Sequence, residues 1–160
     1  MSGVLVAGVG NLFLGDDGFG PEVVRRLAGA PDLPPGVRVR DYGIRGLHLA
    51  YDLLAGYDAL VLVDALPPAG QAPGAVVVLR AGRTGDGGLL DAHGMDPVAM
   101  LAAVERLGGT VPPAYVVGCR VADVSERIGL SPPVAAAVPE ALTAIRTLLA
   151  RTDLVGHGRW

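Results

Sequence analysis

The apolar run Val4-Leu5-Val6-Ala7 stops at Gly8-Val9-Gly10 and leads on to the acidic turn Gly15-Asp16-Asp17-Gly18-Phe19-Gly20. A short continuous apolar run closed by glycines is the pattern of a strand buried on both faces of a parallel sheet, and such sheets need helices on both sides. Residues 4–20 therefore predict a strand, a sharp turn and a helix, the opening unit of an α/β fold. The start of a helix presents free N–H groups and the positive end of a dipole, which suit a bound anion or a fixed acidic side chain. Here the chain supplies the acids itself. A phosphate arriving at Asp16 and Asp17 would meet like charge, whereas a divalent cation would find an ionised ligand in place.

The rest of the chain repeats the alternation. Pro21 fits a first helical turn, and Val23, Val24 and Leu27 give the first helix an apolar face; it is expected to begin near Asp17 and fade before Pro31. Val37-Arg38-Val39-Arg40 alternates with period two, as a strand near the sheet edge does, and Asp41-Tyr42-Gly43 ends it. Leu47, Leu49, Ala50, Leu53 and Leu54 form the stripe of a second helix stopping at Gly56. Ala59-Leu60-Val61-Leu62-Val63 is the most apolar strand, with Asp64 at its end.

Ala75–Leu79 predicts a fourth strand, followed by the glycine-rich segment Gly82–Gly88 that leads to His93. Asp96-Pro97 reads as a cap and first-turn proline, opening a helix through Met100, Leu101, Val104 and Leu107 that closes at Gly108-Gly109. Tyr115-Val116-Val117 is the last strand. Ser131-Pro132 repeats the capping pattern before a helix carrying Val134, Val138, Leu142, Ile145, Leu148 and Leu149, which Pro139 is expected to kink or restart. The tail Thr152–Trp160 has little pattern and is expected to fray. The sum is a single doubly wound α/β domain over residues 1–160, with a mostly parallel sheet of about five strands flanked by helices.

Composition narrows the functions. A chain of 160 residues, 51% hydrophobic, supports one well-buried core. A net charge of -3 with 4% aromatic residues provides neither the basic stripe nor the stacking rings of a nucleic-acid binder. The single cysteine, Cys119, excludes an internal disulfide and fits a reducing compartment, so the cytoplasm is the expected location. Met1-Ser2-Gly3-Val4-Leu5 has no basic lead and reads as neither signal peptide nor anchor, and prolines break every candidate membrane span.

In doubly wound sheets, sites form at the carboxyl ends of strands where strand order reverses. Asp17 follows the first strand and Asp64 closes the third; if those strands are neighbours, their ends lie about 5 Å apart and both carboxylates reach one ion. His93, in the connection after the fourth strand, is placed on the same edge. Two carboxylates and an imidazole make an open O,O,N site suited to Ni, Zn or Fe. Each residue also has a plainer reading: Asp17 as a helix N-terminal charge, Asp64 as a turn cap, His93 as a loop histidine. Spacing leaves Asp16 as eligible as Asp17. His48 and His157 read as solvated, Cys119 as a small buried filler, and Asp86 and Asp91 as loop charges.

A nucleotide-binding module is the competing class, because Gly8-Val9-Gly10 follows a strand and Asp41 ends the second strand where a ribose-binding acid would sit. It fails at the third fingerprint glycine, which is Phe13. Neither a phosphate-loop lysine motif nor a nucleophile-elbow serine is present.

The combination Gly-Val-Gly-Asn-x-x-x-Gly-Asp-Asp-Gly-x-Gly at residues 8–20, Leu62-Val63-Asp64-Ala65 and Ala92-His93-Gly94-Met95 resembles the NiFe-hydrogenase maturation endopeptidases. Gly46, Pro73-Gly74 and Gly129-Leu130-Ser131-Pro132 extend the likeness over the full length. The resemblance implies a phosphorylase/hydrolase-like fold and a hydrolase, an aspartic-type endopeptidase that removes the C-terminal extension of a hydrogenase large-subunit precursor after nickel insertion. It also implies that Asp17, Asp64 and His93 are the metal-binding and catalytic residues. Nickel would arrive with the precursor, Zn or Cd standing in for it in vitro, and the enzyme would act as a monomer. Many members carry Glu where Asp17 stands, so the reach here is one methylene shorter. Gly118-Cys119-Arg120-Val121 is less typical of the family. The glycine-rich segment before His93 is expected to help admit the precursor's tail.

Overall fold

The computed structural model describes residues 3–80 and 97–151. Five strands are described: β1 (Val4–Val9), β2 (Val37–Gly43), β3 (Ala59–Leu66), β4 (Val76–Arg80) and β5 (Ala114–Arg120). The helices are α1 (Phe19–Ala28), α2 (Gly46–Leu53), α3 (Pro97–Arg106) and α4 (Pro132–Leu149), and a 3-10 turn at Gly15–Gly18 precedes α1. The segments Gly82–Gly88 and Thr152–Trp160, with Asp86, Asp91, His93, Asp96 and His157, lie outside the described residues.

Strand order is β2-β1-β3-β5-β4. Leu5 of β1 lies opposite Arg38 of β2 and Leu60 of β3 in parallel register, and Asp64 of β3 lies opposite Gly118 of β5. The chain steps outward from β1 to β2 and returns across β1 to β3, so the strand order reverses between β1 and β3. That is the switch point of a doubly wound sheet.

Strand periodicity sorts the core into two layers. Val4, Val6, Val61, Val63 and Val117 face α1 and α4, together with Phe19, Val23, Val138 and Ile145. Leu5, Ala7, Leu60, Leu62, Leu66 and Val116 face α2 and α3, with Leu49, Leu53 and Val104. Each such side chain, taken fully out of water, contributes about 1.5–3 kcal/mol. Asp64 keeps the phase of Leu62 and Leu66 and so points to the α2 and α3 side. On the edge strand, buried Tyr42 donates its hydroxyl to Asp52 of α2, which also pairs with Arg40.

Gly20 lets α1 cross the switch point in backbone contact. A Cβ there would stand 2.3 Å from the Val63 carbonyl oxygen and 2.4 Å from that of Val9. Glycine at this position sets the height of α1 over β1 and β3.

Several expectations change. β4 is antiparallel to β5, Val78 lying opposite Val117. The connection 67–75 is too short for the crossover of a dozen or more residues that a parallel strand needs. Arg80, at the end of β4, therefore lies beside Tyr115 at the amino edge of β5, opposite to the edge inferred for the connection that carries His93. β3 runs two residues past Asp64, because β5 pairs with it as far as Leu66. The helix does not begin at Asp17; both acids occupy the 3-10 turn.

Pro139 neither stops nor restarts α4. It sits on the exposed face, as does Ala135, whose carbonyl loses its helical N–H donor to the proline. Leu47, Leu54 and Leu107 are exposed although their spacing fits core stripes: α2 buries only Leu49, Ala50 and Leu53, and α3 ends at Arg106, before Leu107. Among the described residues no helix is long and apolar enough to cross a membrane.

Candidate functional site

The site is assembled where β1 ends. Gly10, at φ +144°, passes so close to the turn that a Cβ on it would stand 1.9 Å from the Asp17 carbonyl oxygen. Just beyond, the Asn11 N–H donates to Asp17 Oδ2 at 2.8 Å, and Asn11 Oδ1 accepts the Phe13 N–H at 2.9 Å. The Asp17 N–H closes the turn on the Leu14 carbonyl at 3.1 Å. The apolar strand and its glycines thus deliver a buried carboxylate, 2% exposed, to the carboxyl edge of the sheet.

Asp64 reaches the same place from β3. β1 and β3 stay paired through Gly8 and Val63, so Asp64 stands one residue past the last paired position, where β1 has already turned away. Its side chain is 4% exposed. Burial, and then the charge of Asp17, push its carboxyl well above the usual carboxylate range, against a hydrogen bond from the Ala65 backbone. A buried carboxyl group whose ionisation a neighbouring carboxylate opposes forms a place where a cation is stabilised. The donor set fits a divalent metal.

Asp16 and Asp17, equivalent by spacing, have opposite fates. Asp16 is fully buried and accepts four hydrogen bonds: from the backbone of Ala122 at 2.8 Å, Asp123 at 2.9 Å and Ser131 at 2.6 Å, and from the Ser131 hydroxyl at 2.8 Å. Burial pushes its carboxyl up, but these donors outweigh it and hold it below the ordinary carboxylate value. Three of these donors converge on Oδ2 and one on Oδ1, so the Asp16 carboxylate is engaged within the protein.

Ser131 does not cap α4 with its side chain, as its place before Pro132 implied. Its hydroxyl is turned to Asp16 instead. Neither this role nor that of Asn11 is readable from local sequence; the single hint is a pair of adjacent acids that cannot both face one way. His93 lies outside the described residues, and α3 opens at Pro97. Among the described residues no group of three or more metal-ligating side chains forms.

Exposed apolar side chains stand in the connections that follow the strands at this edge of the sheet. Leu12 and Phe13 after β1, Ile44 after β2, and Val124 and Ile128 after β5 are exposed, Phe13 by 66% and Ile128 by 76%. Phe13, Leu14, Glu126, Arg127 and Ile128 line a groove of about 410 Å³. The groups that a dinucleotide would use are engaged elsewhere: the Asn11 N–H on Asp17, and Asp41 Oδ1 on the Gly43 N–H at 2.8 Å. His48 is exposed, its ring edge-on to Tyr42, and Cys119 is buried, its thiol pushed up to about 11 chiefly by burial.

Residues 21–148 match the family model described as hydrogenase maturation protease. The chain belongs to the hydrogenase maturation protease family. It is 30% identical over 148 residues to the hydrogenase 2 maturation protease of Escherichia coli, covering 91% of this chain and 90% of that one. It is also 30% identical over 151 residues to the hydrogenase expression/formation protein HupD of Rhizobium leguminosarum, covering 91% and 73% respectively. The solved structure of the hydrogenase maturating endopeptidase HybD from Escherichia coli superposes with a TM-score of 0.80 at 28% identity, over 92% of this chain and 91% of that one. The fold of this maturation protease is thus the single α/β domain with a mostly parallel five-stranded sheet expected from its strand and helix pattern.

Proposed function

We propose that this maturation protease removes the C-terminal extension of a NiFe-hydrogenase large-subunit precursor once nickel is in place, and that Asp17, Asp64 and His93 recognise the nickel. The observation that carries the reading is the buried carboxyl pair at the β1–β3 switch point, in which the charge of Asp17 raises the cost of ionising Asp64. A cation delivered by the substrate relieves that cost, so a loaded precursor gains binding energy that an empty one lacks. Nickel is here part of the substrate. His93 would add the nitrogen donor from the segment before α3, and Zn or Cd could stand in for nickel in vitro.

The chain's own residues then do the positioning. Asn11 orients Asp17 through its N–H, and the backbone of Ala65 holds Asp64. The exposed Leu12, Phe13, Ile44 and Ile128 in the connections after β1, β2 and β5 suit a protein substrate better than a small polar one. The protein would act in the cytoplasm as a monomer, where the precursor is assembled.

The deciding experiment incubates the purified protein with nickel-loaded and nickel-free precursor and follows the mass of the large subunit. Cleavage of the loaded form alone is expected. Equal cleavage of both, or of neither, refutes the proposal.

A further inference from the structure

The turn that carries Asp17 is too short to hold itself. A single 3-10 turn at Gly15–Gly18 forms few internal hydrogen bonds, and such turns are marginal without outside support. Its place is set by two other segments. On one side stand Gly10 and Asn11, already described. On the other stand residues 122–131, between β5 and α4: the Gly15 N–H donates to the Arg127 carbonyl at 2.8 Å, the Asp16 N–H to the Asp123 carbonyl at 2.8 Å, and the Arg127 N–H to the Phe13 carbonyl at 3.0 Å. The Asp16 carboxylate, with its four donors, is the side-chain part of this second tie.

We propose that Asp16 is a positioning residue for the processing reaction: its carboxylate grips the segment between β5 and α4 and thereby fixes the turn on which Asp17 faces Asp64. This role rests on the reading of Asp17 and Asp64 given above. Asp16 is fully buried and its four donors are all protein groups, so it does not touch the substrate. An ionised carboxylate is an acceptor at both oxygens, which four converging donors require; an Asn amide would turn an NH2 group toward an N–H. α4 has an independent hold on the fold through Val134, Val138, Ala141 and Ile145. What depends on Asp16 in particular is the turn.

The test measures kcat and KM of the full chain on nickel-loaded precursor, for wild type, Asp16→Asn, Ser131→Ala and Ser131→Thr, at a temperature where urea curves show each variant folded. Ser131→Ala removes one of the four bonds, and a fall in kcat of about threefold to tenfold is expected, with KM unchanged, since one hydrogen bond corresponds to about that factor. Ser131→Thr keeps the hydroxyl and should restore kcat to within about twofold. Folded Asp16→Asn can keep the three donors on one oxygen but turns its NH2 toward the Ser131 N–H and loses the charge, so kcat should fall by about tenfold or more. A purely structural role would move the urea midpoint and leave kcat of the folded protein alone, which overturns the proposal. If Asp16→Asn does not fold, the Ser131 pair decides: wild-type kcat in Ser131→Ala, or no recovery in Ser131→Thr, overturns it. A wild-type protein that leaves the loaded precursor uncut refutes the function itself and this role with it, whereas wild-type cutting with undiminished Ser131→Ala refutes the role alone.

Discussion

Ser131 donates both its backbone N–H, at 2.6 Å, and its hydroxyl, at 2.8 Å, to the carboxylate of Asp16, 115 positions earlier in the chain. The contact joins the connection after β1 to the connection after β5, the two stretches that carry the exposed Phe13 and Ile128. A helix start that could have held an anion from outside is thereby occupied by one of the protein's own.

Loss of that carboxylate should be costly in a pH-dependent way. Asp16→Ala leaves three backbone N–H groups and a hydroxyl without their acceptor, and about 3–5 kcal/mol of stability should be lost at pH 7, as when one partner of a buried charged network is removed. The folded-state value of Asp16 lies below its unfolded value, so its contribution is present above the unfolded value and is lost as pH falls through the folded one. Urea midpoints of wild type and Asp16→Ala should therefore converge as pH falls from 7 toward 3. A gap that stays constant over that range would refute an ionised Asp16 as its source.

Asp64 should behave in the opposite sense. Its folded-state value is raised, so in the metal-free protein stability is unaffected below the unfolded value and declines as pH rises above it, until the folded value is passed. Asp64→Asn removes that loss. At pH 7 the metal-free variant should melt above wild type, with the two converging as pH falls to the ordinary carboxylate range. Its processing of loaded precursor should fall by about 100-fold or more if the carboxylate engages the metal, a loss of about 2.7 kcal/mol of transition-state stabilisation. Calorimetry across pH, together with the mass assay, checks both; a variant that melts below wild type would contradict the raised value.

How much of this was legible beforehand follows from which forces are local. The apolar runs of β1 and β3 and the glycines after β1 are written in consecutive residues, and the switch-point rule then brings the acidic turn after β1 to the same edge as Asp64 without coordinates. The direction of β4 is not so written, because Ala75–Leu79 is equally apolar read either way and only the length of the connection 67–75 argues for antiparallel pairing. Leu47 and Leu54 fit a helical stripe, yet a helix as short as α2 has only Leu49, Ala50 and Leu53 turned to the sheet. The choice between Asp16 and Asp17 depends on Ala122, Asp123 and Ser131, more than a hundred positions away, and no local pattern records it.

The apolar rim predicts a binding effect separate from the chemistry. Phe13 and Ile128 are exposed and line one groove. The double variant Phe13→Ser, Ile128→Ser should raise KM for loaded precursor by about tenfold or more, because each large side chain buried on docking is worth about 1.5–3 kcal/mol, and leave kcat within about twofold. The urea midpoint should hardly move, since neither side chain is in the core. An unchanged KM would place the docking surface elsewhere.

Two glycines of the sheet and its first helix should respond very differently to the same added methyl group. At Gly20 a Cβ would lie 2.3 Å from the Val63 carbonyl oxygen, 2.4 Å from the Val9 carbonyl oxygen and 2.9 Å from the Val9 nitrogen. All three are backbone atoms of the central strands, so relief requires lifting α1 off the switch point. At Gly118, opposite Asp64, the nearest atoms are the Leu66 Cδ1 at 2.4 Å and Cγ at 2.6 Å, which belong to a side chain able to change rotamer. Gly20→Ala should cost about 3 kcal/mol or more, the upper range for overpacking against a rigid neighbour, and abolish processing because Asp17 and Asp64 are carried apart. Gly118→Ala should cost about 1–2 kcal/mol and leave processing measurable. Urea denaturation of the two variants tests the contrast, and comparable losses at both positions would show that the contact between α1 and the strands is softer than the geometry requires.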